Sequence, residues 1–123
     1  SSNAAAYGAA AERAFAEDRG LVLEGVHTPW CDAQFQNGVP VEIKSAMLST
    51  GYWQIYEEYH ETLADRGGYY GFVVYEPTSR GGPITVRKMK LVDPDDLRLG
   101  SLWSPTGGHR DSRKAKLRFE EVF

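Results

Sequence analysis

The stretch Asp32-Ala33-Gln34-Phe35-Gln36-Asn37-Gly38-Val39-Pro40-Val41-Glu42-Ile43-Lys44 decides how this chain is read. Two runs of alternating character flank Gln36-Asn37-Gly38, the pattern of two strands joined by a tight turn. Side chains alternate faces along a strand, so Ala33 and Phe35 share one face of the first run, and Val39, Val41 and Ile43 share one face of the second. Parity then selects the loop. A two-residue turn at Asn37-Gly38 pairs Gln36 with Val39 and sends Asp32 to the side opposite Glu42. A three-residue loop with Gly38 left-handed pairs Phe35 with Val39 and Ala33 with Val41. That choice makes one face wholly apolar and sets Asp32 across from Glu42, with Lys44 two residues further along the same face. Three-residue hairpin loops usually close on a left-handed residue, ideally Gly, so this is the loop expected.

Two carboxylates on adjacent strands, with Cβ atoms about 5 Å apart, repel each other unless something positive lies between them. A hard divalent cation suits that place. Mg²⁺ is typically held by one or two carboxylates together with waters and phosphate oxygens, and Mn²⁺ is expected to substitute for it. The main-chain carbonyl of Ile43 is a further candidate ligand. Lys44 would stand beside the ion, placed to orient or deprotonate a water and to hold a phosphate oxygen. Those are the parts that metal-assisted phosphodiester hydrolysis needs. The competing reading is a solvated hairpin face with an ordinary Glu–Lys pair.

With the hairpin in place the sequence resembles the PD-(D/E)xK nuclease superfamily. That family has a helix with an acidic residue, then an Asp, then (Asp/Glu)-x-Lys on the next strand. Here Glu12 lies in the first helical segment, Asp32 takes the Asp position, and Glu42-Ile43-Lys44 is the Glu-x-Lys. Cys31 stands where the family name has Pro. The resemblance covers about residues 5–76. It implies a restriction-endonuclease-like α/β fold, a three-layer core with a mixed central sheet in the order α-β-β-β-α-β plus C-terminal strands. It also implies a Mg²⁺-dependent endonuclease acting on DNA, with Glu12, Asp32 and Glu42 helping to bind metal and Lys44 catalytic. Gln54 occupies the place where relatives often carry a polar helper. The short chain and the opening Tyr7-Gly8…Ala11-Glu12-Arg13 look most like archaeal Holliday-junction resolvases, although the basic cluster near the N-terminus of typical resolvases is missing.

Outward from the hairpin, Ala5 to Asp18 is alanine-rich, with Tyr7, Ala11, Ala14 and Phe15 on one helical face and Gly20 as its stop. Leu21 to Val26 reads as a short strand. Ser49 and Thr50 are N-cap candidates for a second helix from about Gly51 to Arg66, its stripe formed by Tyr52, Ile55, Tyr56, Tyr59 and Leu63. Tyr69 to Tyr75 is the apolar run of a central strand buried on both faces. Pro77 to Pro83 is a loop, Ile84 to Val92 a strand, Pro94 to Leu99 a turn or short helix, and Ser104 to Asp111 a polar loop. Arg113 to Phe119 alternates cations with Ala115, Leu117 and Phe119 and reads as an amphipathic last strand.

Composition sets the bounds. The 123 residues, 41% hydrophobic and 12% aromatic, make one domain over residues 5–123. Ser1-Ser2-Asn3-Ala4 reads as a cloning scar. The single cysteine, Cys31, excludes an intrachain disulfide framework and a Cys-based zinc site. No apolar run reaches the roughly 18 residues a membrane span needs, so a soluble, cytoplasmic protein is expected. The net charge of −3 argues against a generic nucleic-acid binder. Its distribution argues the other way. Residues 1–79 carry four basic and eleven acidic side chains, whereas residues 80–118 carry ten basic and four acidic. Such a division hints at a polyanionic partner, unless the basic strands fold back on the acidic half.

The other chemistry-bearing residues have blander readings. Cys31 shares the parity of Ala33 and is expected as a small buried hydrophobe. His27 is a loop histidine beside the hairpin, and His60, between Glu57 and Glu61, is expected at the surface. Trp53 lies off the helical stripe and is a candidate for stacking on a base or sugar. Arg87, Lys88 and Lys90 on one strand, His109, Arg110 and Arg113 around a Gly-rich loop, and Lys114, Lys116 and Arg118 on the last strand are the candidate phosphate contacts. A one-site domain this small must pair to cut both strands of a duplex, so a homodimer is expected. The alternatives are a restriction-type endonuclease, a non-catalytic nucleic-acid-binding module of the same fold, and an interaction domain whose hairpin charges are only surface.

Overall fold

Alanine is the best helix former, and the alanine-rich opening forms α1, Ser2–Arg19, in the computed structural model, which describes residues 2–80, 82–105 and 112–123. Gly20, with φ 67°, ends it in the left-handed conformation. The helix thus takes in three residues of the expected scar. Tyr7, Ala11 and Phe15 form its buried face.

Four strands make the central sheet: β1 (Ala33–Gln34), β2 (Pro40–Met47), β4 (Tyr69–Pro77) and β5 (Ile84–Val92), in the order β1-β2-β4-β5. β2 and β4 are parallel and the other pairs antiparallel, so the sheet is mixed. A second sheet, β3-β7-β6, is formed by β3 (Tyr52–Tyr56), β6 (Ser104–Pro105) and β7 (Arg113–Arg118). α2 (Glu57–Asp65) follows β3 directly.

Two buried clusters sit on the two faces of the central sheet. On one face Tyr7, Ala11 and Phe15 of α1 meet Val41, Ile43, Val73 and Tyr75. On the other, Tyr70, Phe72 and Val74 meet Leu63 of α2 and Trp53, Ile55, Ala115 and Leu117 of the second sheet. The result is helix, sheet, and a layer of sheet plus helix, the three-layer mixed α/β arrangement of a restriction-endonuclease-like fold. α1 reaches the sheet closely at Gly71, where an added Cβ would lie 2.3 Å from the Phe15 ring. The alternating register does the rest: along β2, Val41 and Ile43 enter the α1 side, and Glu42, Lys44 and Ala46 turn to the other.

Three sequence expectations are corrected. The second helix starts at Glu57, not near Gly51, because Tyr52-Trp53-Gln54-Ile55-Tyr56 is strand β3. Aromatic and β-branched residues favour a pleated, half-buried surface, and β7 offers alternating Ala115 and Leu117 as a partner. Trp53 and Ile55 therefore face inward at period two, 2% and 1% exposed. Leu21 to Val26 is not a strand; it makes one isolated bridge, Val22 to Gln34, before Gly25 at φ 79° turns the chain. Trp53 is no stacking platform. Its ring packs 4.5 Å from Phe72 and 4.6 Å from Phe119, and its Nε1 donates to the Val73 carbonyl at 3.1 Å.

Candidate active site

The hairpin closes through Gln36-Asn37-Gly38. Phe35 N donates to Val39 O at 2.9 Å, Gly38 N donates back to Phe35 O, and Gly38 has φ 90°. Ala33 pairs with Val41, the register that a three-residue loop demands. Beyond that pair the ladder changes character. Asp32 N still donates to Val41 O at 3.0 Å, but its side chain, not a backbone carbonyl, accepts from Ile43 N at 2.9 Å. β1 therefore ends where Asp32 begins, and the Asp32 carboxylate takes the next rung. In a strand the N–H and C=O of one residue point to the same edge, so the Ile43 carbonyl faces the same opening as Asp32.

Among the described residues Glu42 is the one buried charged side chain, 8% exposed. Burial first, then the neighbouring Asp32 carboxylate, pushes its carboxyl up to about 9, with Lys44 pulling the other way. Its Oε1 is buried and has no hydrogen-bond partner. Lys44 Nζ lies 3.6 Å from Glu42 Oε2, with the Lys44 side chain 22% exposed. Glu12, half-buried on α1, is raised to about 7 by burial and by Asp32, against Arg13. Thus Asp32 links all three acids, one from each of α1, the hairpin's first arm and β2.

A divalent cation fits this donor set. A buried carboxylate oxygen without a partner, beside a second carboxylate, is costly unless a positive group satisfies it. Asp32, Glu42 and the Ile43 carbonyl are the oxygens that would hold it. Among the described residues, no three His, Cys, Asp or Glu side chains are arranged closely enough to hold an ion without other ligands. Mg²⁺ keeps most of its ligands as water and phosphate, so two carboxylates and a carbonyl agree with it. Glu12 belongs to the electrostatic neighbourhood and not to a ready-made triad.

Several candidates lie elsewhere. Gln54 is not in a helix's first turn. It sits on β3 opposite Lys116, on the face turned away from Trp53 and Phe72, and its Nε2 donates to Tyr56 Oη at 3.1 Å. Arg87 pairs with Glu76, Lys88 lies over the Phe123 ring at 5.4 Å, and Lys90 Nζ donates to Val122 O at 3.0 Å. Arg113 forms a two-pronged pair with Glu57, its Nε at 2.8 Å. Lys114, Lys116 and Arg118 occupy alternate positions of β7. His109 and Arg110 lie outside the described residues. His27 is exposed on the loop before the hairpin. Cys31 is buried as expected, yet it belongs to the cluster with Leu63 and Tyr70, not with Ala33. Its bridge to Thr28 breaks strand parity before Asp32.

Sequence reading missed the pair of His60 and Tyr70. His60 is half-buried, not a surface residue. Its ring stacks on Tyr70 with centroids 5.7 Å apart, and its Nδ1 meets Tyr70 Oη at 2.9 Å. Burial lowers the His60 pKa despite three nearby carboxylates. Tyr70 pairs in register with Glu42 across the parallel ladder, and burial together with Glu42 pushes its phenol up. The signal was available: a parallel strand after Gly67-Gly68 puts Tyr70 level with Glu42.

The family comparison agrees with this geometry. The family described as PD-(D/E)XK nuclease superfamily domain matches residues 1–123. No curated protein matches the chain. The match spans the helix, the forked hairpin and the crossover to β4, and the chain belongs to the PD-(D/E)XK nuclease superfamily.

Proposed function

We propose that the chain is a metal-dependent endonuclease that hydrolyses DNA phosphodiester bonds, with the forked hairpin as its active site. One observation carries the reading: Glu42 is buried beside Asp32 with an unpartnered carboxylate oxygen, and Lys44 stands 3.6 Å from it. A merely decorative Glu–Lys pair would sit in water, where such a pair contributes little and buries no charge. A buried acidic pair weakens the fold, and strongly perturbed carboxyls of this kind mark functional sites.

Asp32 and Glu42 would hold Mg²⁺ with the Ile43 carbonyl, and the ion would supply charge neutralisation of the phosphate and a more acidic water. The chain's own groups do the rest. Asp32 is fixed by the Ile43 N–H, so its free oxygen keeps one direction. Lys44, tethered near Glu42, orients or deprotonates the attacking water and balances the growing negative charge on the phosphate. Glu12 adds negative charge that favours the cation. Arg87, Lys88, Lys90, Arg113, Lys114, Lys116 and Arg118 are the proposed phosphate contacts of the described chain. A homodimer would bring two such sites to a duplex.

The reading is tested by incubating the protein with four-way junction, flap, linear duplex and single-stranded DNA, with and without Mg²⁺. Cleavage that needs the ion and disappears in Lys44→Ala supports it, and preference for the junction would extend it to resolvase activity. Binding without cleavage under every condition would instead identify a non-catalytic member of the fold.

A further inference from the structure

The outer face of the second sheet sets two rows of different character side by side. In β3–β7 the pairs are Tyr52 with Arg118, Gln54 with Lys116, and Tyr56 with Lys114. Directly paired residues of antiparallel strands share a face, so these six side chains lie together. The opposite face, Trp53, Ile55, Ala115 and Leu117, is buried at 2% exposure or less. One face therefore secures the sheet to the core, and the other presents a row of cations beside a row of Tyr-Gln-Tyr.

The details suit an open polynucleotide strand. Alternate residues of a strand are about 6.7 Å apart. That is roughly twice the 3.4 Å axial rise per phosphate of a stacked strand, which matches a stretched, unstacked one. Lys116 Nζ lies 4.9 Å over the Tyr52 ring, and Gln54 holds Tyr56 Oη, so both rings are oriented by their neighbours. Arg118 touches Glu120 at 3.4 Å with both side chains more than two-thirds exposed, a contact that a phosphate can displace. Cations that track a backbone next to aromatic rings that stack on bases are how single strands are bound without sequence preference. A duplex hides its base faces and gains nothing from the rings.

We propose that the outer face of the β3–β7 sheet binds a single-stranded polynucleotide, with Lys114, Lys116 and Arg118 on its phosphates and Tyr52 and Tyr56 against its bases. The use of this surface, to deliver an unpaired strand for cutting, rests on the nuclease reading. The binding itself needs neither metal nor turnover.

Fluorescence anisotropy in EDTA tests it, with dye-labelled oligothymidylate, oligouridylate and a blunt DNA duplex as probes. The wild type should bind a single strand more tightly than the duplex. The triple variant Lys114→Gln, Lys116→Gln, Arg118→Gln should lower the slope of log affinity against log salt by about 2, at roughly 0.7 per lost contact. Tyr52→Leu should weaken binding about tenfold, and Tyr52→Phe should restore it. Should Tyr52→Leu fail to fold, the exposed triple variant still decides. Oligothymidylate against oligouridylate shows which sugar is preferred, and tight binding of either supports the surface. No binding of either oligonucleotide, or a salt slope unchanged in the triple variant, would overturn it. Wild-type protein that binds the single strand in EDTA yet cleaves no DNA with Mg²⁺ sinks the nuclease reading alone. Retained Mg²⁺-dependent cleavage with an unchanged slope sinks this surface alone.

Discussion

Replacing Glu42 with Gln should stabilise the metal-free protein while abolishing cleavage. The Glu42 carboxyl is shifted from its ordinary 4.5 up to about 9 by burial and by Asp32. The folded state therefore keeps a proton that the unfolded chain releases above pH 4.5. Stability must then fall as pH rises through the window from about 4.5 to about 9. At pH 8 the full shift would amount to about 5 kcal/mol at 1.36 kcal/mol per pKa unit. The amide must itself find partners in the same buried place, which offsets part of this, so about 2–3 kcal/mol is the expected gain on replacing the titratable group. Gln keeps the shape, and its amide can donate to Asp32. With about 2.1 cal/mol/K per residue of unfolding entropy, 123 residues convert that gain into a rise in Tm of about 8–12 °C. Thermal denaturation at pH 8 in EDTA measures it. At pH 5 the unfolded chain also holds part of the proton, so the gap should shrink to under about 1 kcal/mol. Mg²⁺ at a hundredfold excess over its Kd should raise the wild type by about 2.7 kcal/mol and leave Glu42→Gln unmoved. A variant no more stable than wild type at pH 8, or one stabilised equally by Mg²⁺, would refute the account of Glu42 as a buried ligand held at the expense of the fold.

Lys44→Ala should lower Mg²⁺-dependent cleavage by about 10²–10⁴-fold with little change in Tm, measured by gel assay and calorimetry on the same preparation. Gly71→Ala should destabilise by about 3 kcal/mol, since its Cβ would meet Phe15 at 2.3 Å; Phe15→Leu in the same chain should recover part of the loss in urea denaturation. Gly38→Ala forces a side chain into φ 90° and should cost about 1 kcal/mol. That change should shift the urea midpoint without altering the slope.

The hairpin was legible because parity over thirteen residues admits few solutions, and the pairing of Ala33 with Val41 follows from it. The central strand was legible from the apolar run Tyr69–Tyr75, and the first helix from its alanines. β3 was not, for a physical reason. Tyr52, Ile55, Tyr56, Tyr59 and Leu63 satisfy a helical period, while Trp53 and Ile55 equally satisfy a strand period. What decides between them is β7, sixty residues away, and long-range pairing has no local trace. Gln54 moved from the site to the outer sheet with that one error. His60 was misplaced because its partner Tyr70 belongs to another strand and not to its own helix turn.

The uneven charge distribution is resolved by the same sheet. Part of the basic half does fold back on acids: Arg113 on Glu57 and Arg87 on Glu76. Among the described residues Lys114 and Lys116 have no carboxylate partner, and both lie on the face of β7 that turns from the core. A strand whose only task was to cover the core would need Ala115 and Leu117 and would accept any polar residue between them. Three cations at consecutive outward positions raise the local repulsion instead, which an anionic strand would relieve. The acids of the front half are treated in the opposite way, with Glu42 buried and Glu12 half-buried around Asp32, where a proton or a cation relieves them. The two halves thus keep unbalanced charges of opposite sign in separate places. If both serve one substrate, adding Mg²⁺ to the wild type should tighten DNA binding, and Glu42→Gln should bind as the wild type does in EDTA and gain nothing from the metal.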